Sequence, residues 1–304
     1  MKTSKLLFVV AAVHALFIVG FSAVARFPIT LTDGAGNTVT IVSEPQRIVS
    51  LAPSHTEILY VLGLQDRIVG VTTYCNYPPA AAEKVKVGEF ANISLEQVVG
   101  LEPNLVLGTS MHAAEVAPRL RELDIAVFIV DSQTVLEVLT DIQTIGRITG
   151  REEVAADLVA KMRNRIEAVQ TAVEGEPRPR VFWELGPELY TAGPGSWIND
   201  LIELAGGENI ADDVGTPWPQ LSVEVIVLKD PDVVVLADHN YGETAEKVAE
   251  RPGWSDIAAV KVGRVIELVE EDIFSRPGPR IVDALEFMAR ALHPERFAGD
   301  EDPP

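Results

Sequence analysis

The fold is decided by a sixteen-residue pattern that occurs twice, as SLEQVVGLEPNLVLGT (residues 94–109) and SVEVIVLKDPDVVVLA (residues 222–237). Each copy begins with a serine, which caps a helix by accepting a hydrogen bond from a free backbone N–H. A glutamate follows in the first turn, where the helix dipole stabilises a carboxylate. A proline ends the helix, because it disfavours helical backbone in the residue before it. The valines and leucines that follow do not alternate with polar residues, so they predict a strand buried on both faces.

Other stretches repeat this alternation of helix and buried strand. The segment RIVSLAPSHTEILYVLGLQDRIVGVTTY predicts strands at 48–51 and 68–72, with a helix between them that begins at a Ser54-x-x-Glu57 capping box. A strand, a helix and a second strand in this order form a right-handed βαβ unit with parallel strands. Ligands of such sheets bind beyond the carboxyl ends of the strands.

One long helix separates the two halves of the chain. Residues 151–173 place six apolar side chains on one face of a helix that is about 30 Å long. These are Val154, Leu158, Met162, Ile166, Val169 and Val173. We therefore predict an α/β fold in which two Rossmann-like lobes with mainly parallel sheets are joined by one long linking helix, with a ligand cleft between the lobes.

The predicted domain boundaries follow from this helix. Residues 26–150 form an N-terminal α/β lobe that starts with a β-hairpin, because residues 27–42 alternate around a glycine-containing turn. Residues 151–176 form the linking helix, and residues 177–304 form a C-terminal α/β lobe.

Residues 1–25 favour export. Lys2 and Lys5 precede an apolar stretch at 6–21, and Ala23-Val24-Ala25 is a small-residue cleavage site typical of a secretory signal peptide. The stretch is long for a signal peptide, so an uncleaved membrane anchor is the alternative. Both place the protein in the periplasm or another extracytoplasmic space.

Composition excludes several classes of function. The formal net charge of −20 argues against nucleic-acid binding, which needs a basic face. Cys75 is the single cysteine, so the chain has no internal disulfide and no cysteine cluster for a metal. Motifs of phosphate-binding loops, serine hydrolases and zinc proteases are absent from the sequence, and we expect no enzyme.

Aromatic residues near predicted strand ends are the first candidates for ligand contact. Trp218 lies in a loop between two prolines, where contact with a ligand is favoured over a role in the core. Trp183 lies inside a predicted strand and is expected to pack in the core. For Tyr74 and Phe90, ligand contact and core packing remain equal alternatives.

Polar residues at the same loops leave alternatives open. His55, His112 and His239 follow strands, and each either contacts a metal or is a hydrogen-bonded loop residue, which is the favoured interpretation. Arg276 either pairs with an anionic group of a ligand or forms an ion pair with a nearby carboxylate such as Asp272.

The glutamates of the repeated pattern, Glu96 and Glu224, also have two interpretations. Each is a helix-dipole carboxylate, or the two form equivalent anionic contacts, one per lobe, with a two-fold symmetric partner that presents cations.

Several segments of the chain resemble a known family. RIVSLAPSHTEILYVLG, VGVTTYCNYPP, SLEQVVGLEPNLVLG, TPWPQLSVEVI and RPGPRIVDALE resemble the periplasmic cobalamin-binding proteins of ABC importers, and more broadly the helical-backbone substrate-binding proteins for cobalamin, ferric siderophores and haem. The resemblance covers residues 45–293 in the same order. It implies two Rossmann-like lobes joined by one helix, a ligand in the cleft and modest motion of the lobes.

The resemblance also implies roles for individual residues. Glu96 and Glu224 would meet arginines on the permease dimer. The ligand-binding residues would be Pro53, His55, Tyr74, Phe90, Trp218, Asp272 and Arg276.

Four positions depart from the family pattern. Phe90 and Ile273 replace tryptophans of well-known relatives, Thr109 replaces an aromatic residue, and His55 stands where asparagine is common. A cleft with fewer aromatic residues leaves the identity of the ligand open.

The predicted function is therefore capture of cobalamin or a related corrinoid as a transported ligand, and its delivery to an ABC permease dimer with its ATPase subunits. We expect a monomer with no cofactor and no bound metal. A ferric siderophore or haem carrier is the alternative within the same class. A secreted hydrolase or metalloprotein is the alternative from a different class.

Overall fold

The computed structural model describes residues 27–298. The predicted signal peptide and the last six residues of the acidic tail lie outside the described residues. Within the described part, no helix is long and apolar enough to cross a membrane.

Short strands and helices alternate along the described chain. The strands are β1 (Ile29–Thr32), β2 (Thr38–Ile41), β3 (Ile48–Ser50), β4 (Ile68–Val71), β5 (Leu105–Gly108), β6 (Ala126–Ile129), β7 (Arg180–Glu184), β8 (Glu208–Asn209), β9 (Val233–Leu236) and β10 (Val265–Glu267). The helices are α1 (Pro53–Val61), α2 (Leu95–Gly100), α3 (Ser110–Ala113), α4 (Val116–Arg121), α5 (Val135–Ile148), α6 (Glu152–Val173), α7 (Trp197–Leu204), α8 (Val223–Lys229), α9 (Ala245–Glu250), α10 (Ala258–Lys261), α11 (Asp272–Ser275) and α12 (Ile281–Leu292).

Two parallel sheets form the centres of the two lobes. The N-terminal sheet has the strand order β4-β3-β5-β6, and the C-terminal sheet has the order β10-β9-β7-β8. Every pairing within these sheets is parallel. The predicted α/β class with two parallel-sheet lobes is thus confirmed.

The N-terminal hairpin is also present. Strands β1 and β2 pair antiparallel as a separate two-stranded sheet. The hairpin is fixed to the N-terminal lobe at its turn, where Gly34 N donates a hydrogen bond of 2.8 Å to Ile129 O. The carboxylate of Asp33 strengthens this attachment by accepting from Arg121 Nη2 at 2.7 Å.

The repeated pattern builds the same unit in each lobe. Ser94 Oγ accepts from Gln97 N and Ser222 Oγ accepts from Val225 N, each at 3.3 Å, so both predicted helix caps form. The strands that follow, β5 and β9, are buried along their whole length. Each is an inner strand, with a neighbour on both sides. A strand covered above, below and at both edges requires the unbroken apolar run that both copies carry.

The linking helix α6 packs against α5 and α12. Four of its six predicted inner residues, Met162, Ile166, Val169 and Val173, are buried, but its first two turns differ from the prediction. Ala155 and Val159 are buried at its start, whereas Val154 is exposed. The reason is a close helix approach: a Cβ added at Gly146 of α5 would lie 2.4 Å from the Cβ of Ala155. Only small residues fit where the two helices cross. A prediction from hydrophobic periodicity gives little weight to alanine, so it placed Val154 rather than Ala155 on the inner face.

The predicted capping box at Ser54 and Glu57 is wrong. Helix α1 begins at Pro53, and its N-cap Ala52 makes no side-chain cap. Proline suits the first helical position because its φ angle is already helical and its missing N–H is not needed there. Glu57 therefore lies inside the helix, and its carboxylate is used elsewhere.

Loss of either serine cap should destabilise its lobe. We expect Ser94→Ala and Ser222→Ala each to lower the free energy of unfolding by about 1 kcal/mol, because a helix N–H loses its acceptor. Urea denaturation followed by circular dichroism measures this. Ser→Thr at the same positions keeps an acceptor and should retain most of the stability, and an equal loss in both variants would contradict the capping role.

Candidate functional site

A cleft of about 810 Å³ lies at the carboxyl ends of both sheets. From the N-terminal lobe it is lined by residues that follow β3, β4, β5 and β6. From the C-terminal lobe it is lined by residues of the loops before α8 and after β9, by the start of α7, and by residues 271–277. Parallel sheets place their ligand sites at this edge.

The structure brings all of the predicted ligand-binding residues to this one cleft. They are Pro53, His55, Tyr74, Phe90, Trp218, Asp272 and Arg276. Their contact with a ligand stays a prediction. Sequence reasoning missed five further lining residues that carry aromatic, methionine or charged side chains, namely Met111, Asp131, Trp197, Tyr241 and Glu271.

Exposed apolar side chains from both lobes face the opening of the cleft. Tyr74 and Met111 belong to the N-terminal lobe, and Trp218 and Tyr241 belong to the C-terminal lobe. Their exposed fractions are 55%, 56%, 38% and 83%. Large apolar groups that stay in water without a ligand are typical of a surface that a ligand covers.

Trp218 is held in place by a second tryptophan. The rings of Trp218 and Trp197 meet edge to face, with centroids 5.1 Å apart. Trp197 is itself fixed, since its Nε1–H donates a hydrogen bond of 2.7 Å to Phe274 O. The predicted core role of Trp183 is confirmed, because this side chain is buried and packs on Phe274 at 5.3 Å.

His112 supports Phe90. Its Nδ1 accepts from Thr109 N at 3.0 Å, so its Nε2 carries the proton and donates to Phe90 O at 2.9 Å. The two rings also meet edge to face at 5.4 Å. Burial lowers the pKa of His112, which keeps the imidazole neutral. Of the two interpretations of this histidine, the structure shows the hydrogen-bonded residue, although it lies in helix α3 rather than in a loop.

His55 is a neutral histidine in the cleft wall. Burial, and to a smaller extent the nearby His112, lower its pKa to about 4. Its Nδ1 is buried and has no hydrogen-bond partner within residues 27–298.

His239 is hydrogen-bonded, as the favoured interpretation had it. Its Nδ1–H donates to Glu243 O at 2.9 Å. Among the described residues, no group of three or more histidine, cysteine, aspartate and glutamate side chains is arranged to hold a metal ion.

Arg276 lines the cleft, but its guanidinium is already paired. Its Nη2 lies 2.6 Å from Asp272 Oδ2, which is the ion pair that the sequence offered as the alternative to ligand contact. Its Nη1 donates to Asn76 Oδ1 at 2.7 Å and to Glu57 Oε1 at 3.2 Å. The residue is only 9% exposed.

Glu57 is a buried carboxylate to which sequence reasoning assigned the wrong role. Its Oε1 and Oε2 accept from Nη2 and Nε of Arg280 at 2.7 and 2.8 Å, in addition to the contact with Arg276. Ser54 and Glu57 have the spacing of a capping box, but this spacing does not exclude a glutamate that is instead buried in an ion pair. The available signal was the pair of arginines in the segment RPGPR.

The charged side chains in the cleft wall are mostly acidic. Asp131, Glu271 and Asp272 contribute carboxylates, whereas Arg276 is the one basic residue among the lining residues that the structure describes. Because Arg276 is paired with Glu57 and Asp272, it does not offset the other carboxylates. The cleft is therefore suited to a neutral or cationic ligand rather than an anionic one.

Comparison with known proteins identifies the class. A family model for periplasmic binding proteins matches residues 48–271. The chain belongs to this family of periplasmic binding proteins. More narrowly, it is a substrate-binding protein of the ABC importer type.

Two relatives are similar in sequence to most of this chain. A cobalamin-binding protein of Halobacterium salinarum is 40% identical over 277 residues, which cover 88% of this chain and 74% of that protein. An uncharacterized ABC transporter substrate-binding lipoprotein of Bacillus subtilis is 38% identical over 280 residues, which cover 89% of this chain and 87% of the relative.

Two solved structures share the fold. The periplasmic vitamin B12-binding protein of Vibrio cholerae superposes with a TM-score of 0.71 and is 29% identical, covering 85% of this chain and 99% of its own. The periplasmic haem-binding protein of Roseiflexus sp. RS-1 has a TM-score of 0.73 and 26% identity, covering 83% of this chain and 99% of its own.

A second buried charge cluster supports the loop that carries Tyr241. Asp238 is 2% exposed, and neither of its carboxyl oxygens has a hydrogen-bond partner within the described chain. Burial, followed by the charge of Glu184, raises its pKa to about 7, and the neighbouring Glu243 adds to this while Arg251 opposes it.

This cluster predicts a pH dependence of stability. A carboxyl with a raised pKa in the folded protein holds its proton more tightly when folded, so stability falls as pH rises from about 4 to about 7. We expect Asp238→Asn to raise the melting temperature at pH 8 by about 3 °C or more, since each kcal/mol shifts it by about 2–4 °C. The gain should shrink as the pH is lowered toward about 4.

Melting curves by differential scanning calorimetry at several pH values test this. Asp157→Asn, at an exposed position on α6, is the matched control and should leave the pH dependence unchanged. A gain from Asp238→Asn that is equal at pH 5 and pH 8 would show that the carboxyl is not the source of the effect.

Proposed function

We propose that this protein captures cobalamin or a related corrinoid outside the cytoplasm and delivers it to an ABC transporter permease. The observation that carries the proposal is the cleft between the lobes. Its opening presents exposed apolar side chains from both lobes, and its charged lining residues are mainly carboxylates.

The apolar opening suits a large flat ligand. Each lobe contributes two large side chains of low polarity to the cleft. They are Tyr74 and Met111 on one lobe, and Trp218 and Tyr241 on the other. A corrin ring is a broad macrocycle that both lobes can contact at once. Rigid aromatic rings bind such a surface at a low cost in conformational entropy. The names of two relatives, a cobalamin-binding and a vitamin B12-binding protein, support the same ligand class.

The charge of the cleft favours a corrinoid over the alternative ligands. The periphery of a corrin carries uncharged amides, which do not conflict with the carboxylates of Asp131 and Glu271 in the cleft wall. Haem carries two carboxylates, and its recognition needs basic groups that are free to pair with them. Arg276 does not meet this need, because its guanidinium is paired within the protein. Haem and anionic ferric siderophores are therefore the less favoured alternative.

The docking surface of the proposed function lies on α2 and α8. Glu96 and Glu224 are exposed in the first turns of these helices, one on each lobe. The pKa of Glu224 is lowered by its own backbone N–H and then by the Ser222 hydroxyl, which keeps it charged. We propose that the two carboxylates pair with cations on the permease dimer, whose two-fold symmetry matches the repeated pattern.

The proposed function also requires two lobes, a linker and export from the cytoplasm. We propose residues 26–150 and 177–304 as the two lobes, residues 151–176 as their linker, and export of a monomer by residues 1–25. An uncleaved N-terminal anchor remains the alternative to release.

Direct ligand binding tests the proposed function. We expect cyanocobalamin to bind the purified protein at micromolar or lower concentration, and haemin to bind at least about tenfold more weakly, which is a difference of about 1.4 kcal/mol. Isothermal titration calorimetry measures both. Tighter binding of haemin, or of a ferric hydroxamate, would replace cobalamin with that ligand.

A matched pair of variants locates the bound ligand in the same titration. Trp218→Ala should weaken cyanocobalamin binding by about tenfold. Tyr190→Ala removes an aromatic ring of similar exposure, 47% against 38%, that does not line the cleft, and should leave the affinity unchanged. Equal effects of the two variants would remove Trp218 from the site.

Transporter coupling tests the docking surface separately. The double variant Glu96→Ala with Glu224→Ala should bind ligand normally but lose most of its stimulation of the transporter's ATPase, because the permease cations lose their partners. Reconstituted proteoliposomes provide the measurement. Glu152→Ala with Glu153→Ala is the matched control, since these are also exposed first-turn carboxylates. Full ATPase stimulation by the Glu96 and Glu224 double variant would rule out this surface.

A further inference from the structure

Glu57 is the point at which the two lobes meet through buried charge. It lies on α1 of the N-terminal lobe and is 2% exposed. Both of its partners, Arg276 and Arg280, come from the segment between α11 and α12 of the C-terminal lobe. Arg280 makes a two-bond contact through Nε and Nη2, at 2.8 and 2.7 Å, which is the strongest geometry for this type of pair.

The bridge continues from Arg276 into the cleft wall. The guanidinium of Arg276 donates to Asn76 Oδ1 at 2.7 Å and contacts Asp272 Oδ2 at 2.6 Å. Its Nη2 also donates to Tyr74 O at 3.4 Å. Tyr74 and Asp272 line the cleft from opposite lobes. One guanidinium therefore holds two ligand-facing positions at a fixed separation.

Arg280 secures the other end of the same loop. Its guanidinium carbon lies 3.9 Å from the ring centroid of Tyr77, which follows Tyr74 in the segment YCNYPP. A cation over an aromatic face is attracted by the ring electrons. The loop after β4 is thus attached to the C-terminal lobe at Tyr74, Asn76 and Tyr77.

The carboxylate of Glu57 allows both arginines to lie side by side although they are largely buried. Two adjacent guanidinium groups repel each other, and a buried cation needs an opposite charge. Glu57 places one negative charge between them and accepts from both. If the carboxylate is neutralised, the two cations lose their shared partner and the bridge opens.

We infer that Glu57 is a positioning residue for the ligand site: through Arg276 and Arg280 it fixes the loop of residues 74–77 and the segment of residues 271–277 against each other, so that the cleft is already formed before ligand arrives. It does not touch the ligand itself. The effect of Glu57 on corrinoid binding rests on the proposed function. Its role in forming the cleft before ligand arrives rests only on the contacts described above.

Hydrogen exchange of the ligand-free protein tests the inference without any ligand. The amides of Cys75, Phe274 and Ser275 are hydrogen-bonded within the two joined segments, at 3.2, 3.0 and 2.9 Å. Glu57→Gln keeps the shape of the side chain and removes its charge. We expect peptides that contain these amides to exchange at least about tenfold faster in this variant, because their opening is no longer restrained across the lobes.

Asp232→Asn is the matched control. Asp232 also makes a two-bond contact with an arginine, accepting from Nε and Nη2 of Arg180 at 3.1 Å each. This pair lies at the amino end of the C-terminal sheet, opposite the cleft. Asp232→Asn should lower the melting temperature yet leave exchange at residues 73–77 and 271–277 as in the wild type.

A double-mutant cycle on cyanocobalamin affinity separates positioning from general stability. Glu57→Gln should weaken binding about tenfold, and Arg276→Gln should do so to a similar extent. In the double variant the two losses should add only in part, because Glu57 acts through Arg276 as well as through Arg280. Losses that multiply would show that Glu57 acts by another route and would overturn the inference.

The possible outcomes separate this inference from the proposed function. If the wild type binds no cyanocobalamin, the proposed function fails, and the exchange measurement still decides the role of Glu57. If the Glu57→Gln variant is too unstable to purify, Arg276→Gln removes one of the two arginine contacts of the bridge and should also give faster exchange at the loop of residues 74–77. Wild-type exchange in these variants would overturn the inference, whatever ligand the protein binds.

Discussion

The structure depends on the burial of two parallel sheets on both faces. A parallel strand with helices above and below it has no polar face, so β5 and β9 consist of unbroken apolar residues. Parallel strands also end together, which gathers the loops that follow them at one edge of each sheet. With α6 packed between α5 and α12, the loop-bearing edges of the two lobes line a single cleft. The site is thus a consequence of the way in which the core is buried.

Sequence reasoning succeeded where a local pattern had one physical meaning. The serines at 94 and 222 cap helices, and the apolar runs after the two prolines form inner strands, because no other structure suits those residues. It failed where two structures share a pattern. Ser54 and Glu57 match a capping box, yet the helix begins at Pro53, with Ala52 rather than Ser54 at the N-cap. Tyr241 was missed because its place at the cleft is set by the turn of residues 239–241, and nothing in its sequence neighbours predicts that place.

The residues of the cleft are of two kinds, which differ in burial and charge. Tyr74, Trp218 and Tyr241 are exposed and available for a ligand. Arg276 and His112 are buried and donate hydrogen bonds to the backbone of Tyr74 and Phe90, and the buried Glu57 accepts from Arg276. An arginine in a binding cleft is readily assigned to an anionic ligand from sequence alone. Here its partners lie within the protein, and the carboxylates that remain favour a neutral or cationic ligand.

The central claim is that a corrinoid lies between the apolar surfaces of the two lobes at the carboxyl ends of both sheets. A crystal structure of the protein grown with cyanocobalamin tests it most directly. The account predicts electron density for the corrin ring in contact with Tyr74 on one side and Trp218 on the other, with the bridge of Glu57, Arg276 and Arg280 unchanged. Density for the ligand outside the cleft, or an empty cleft at saturating ligand, would contradict it.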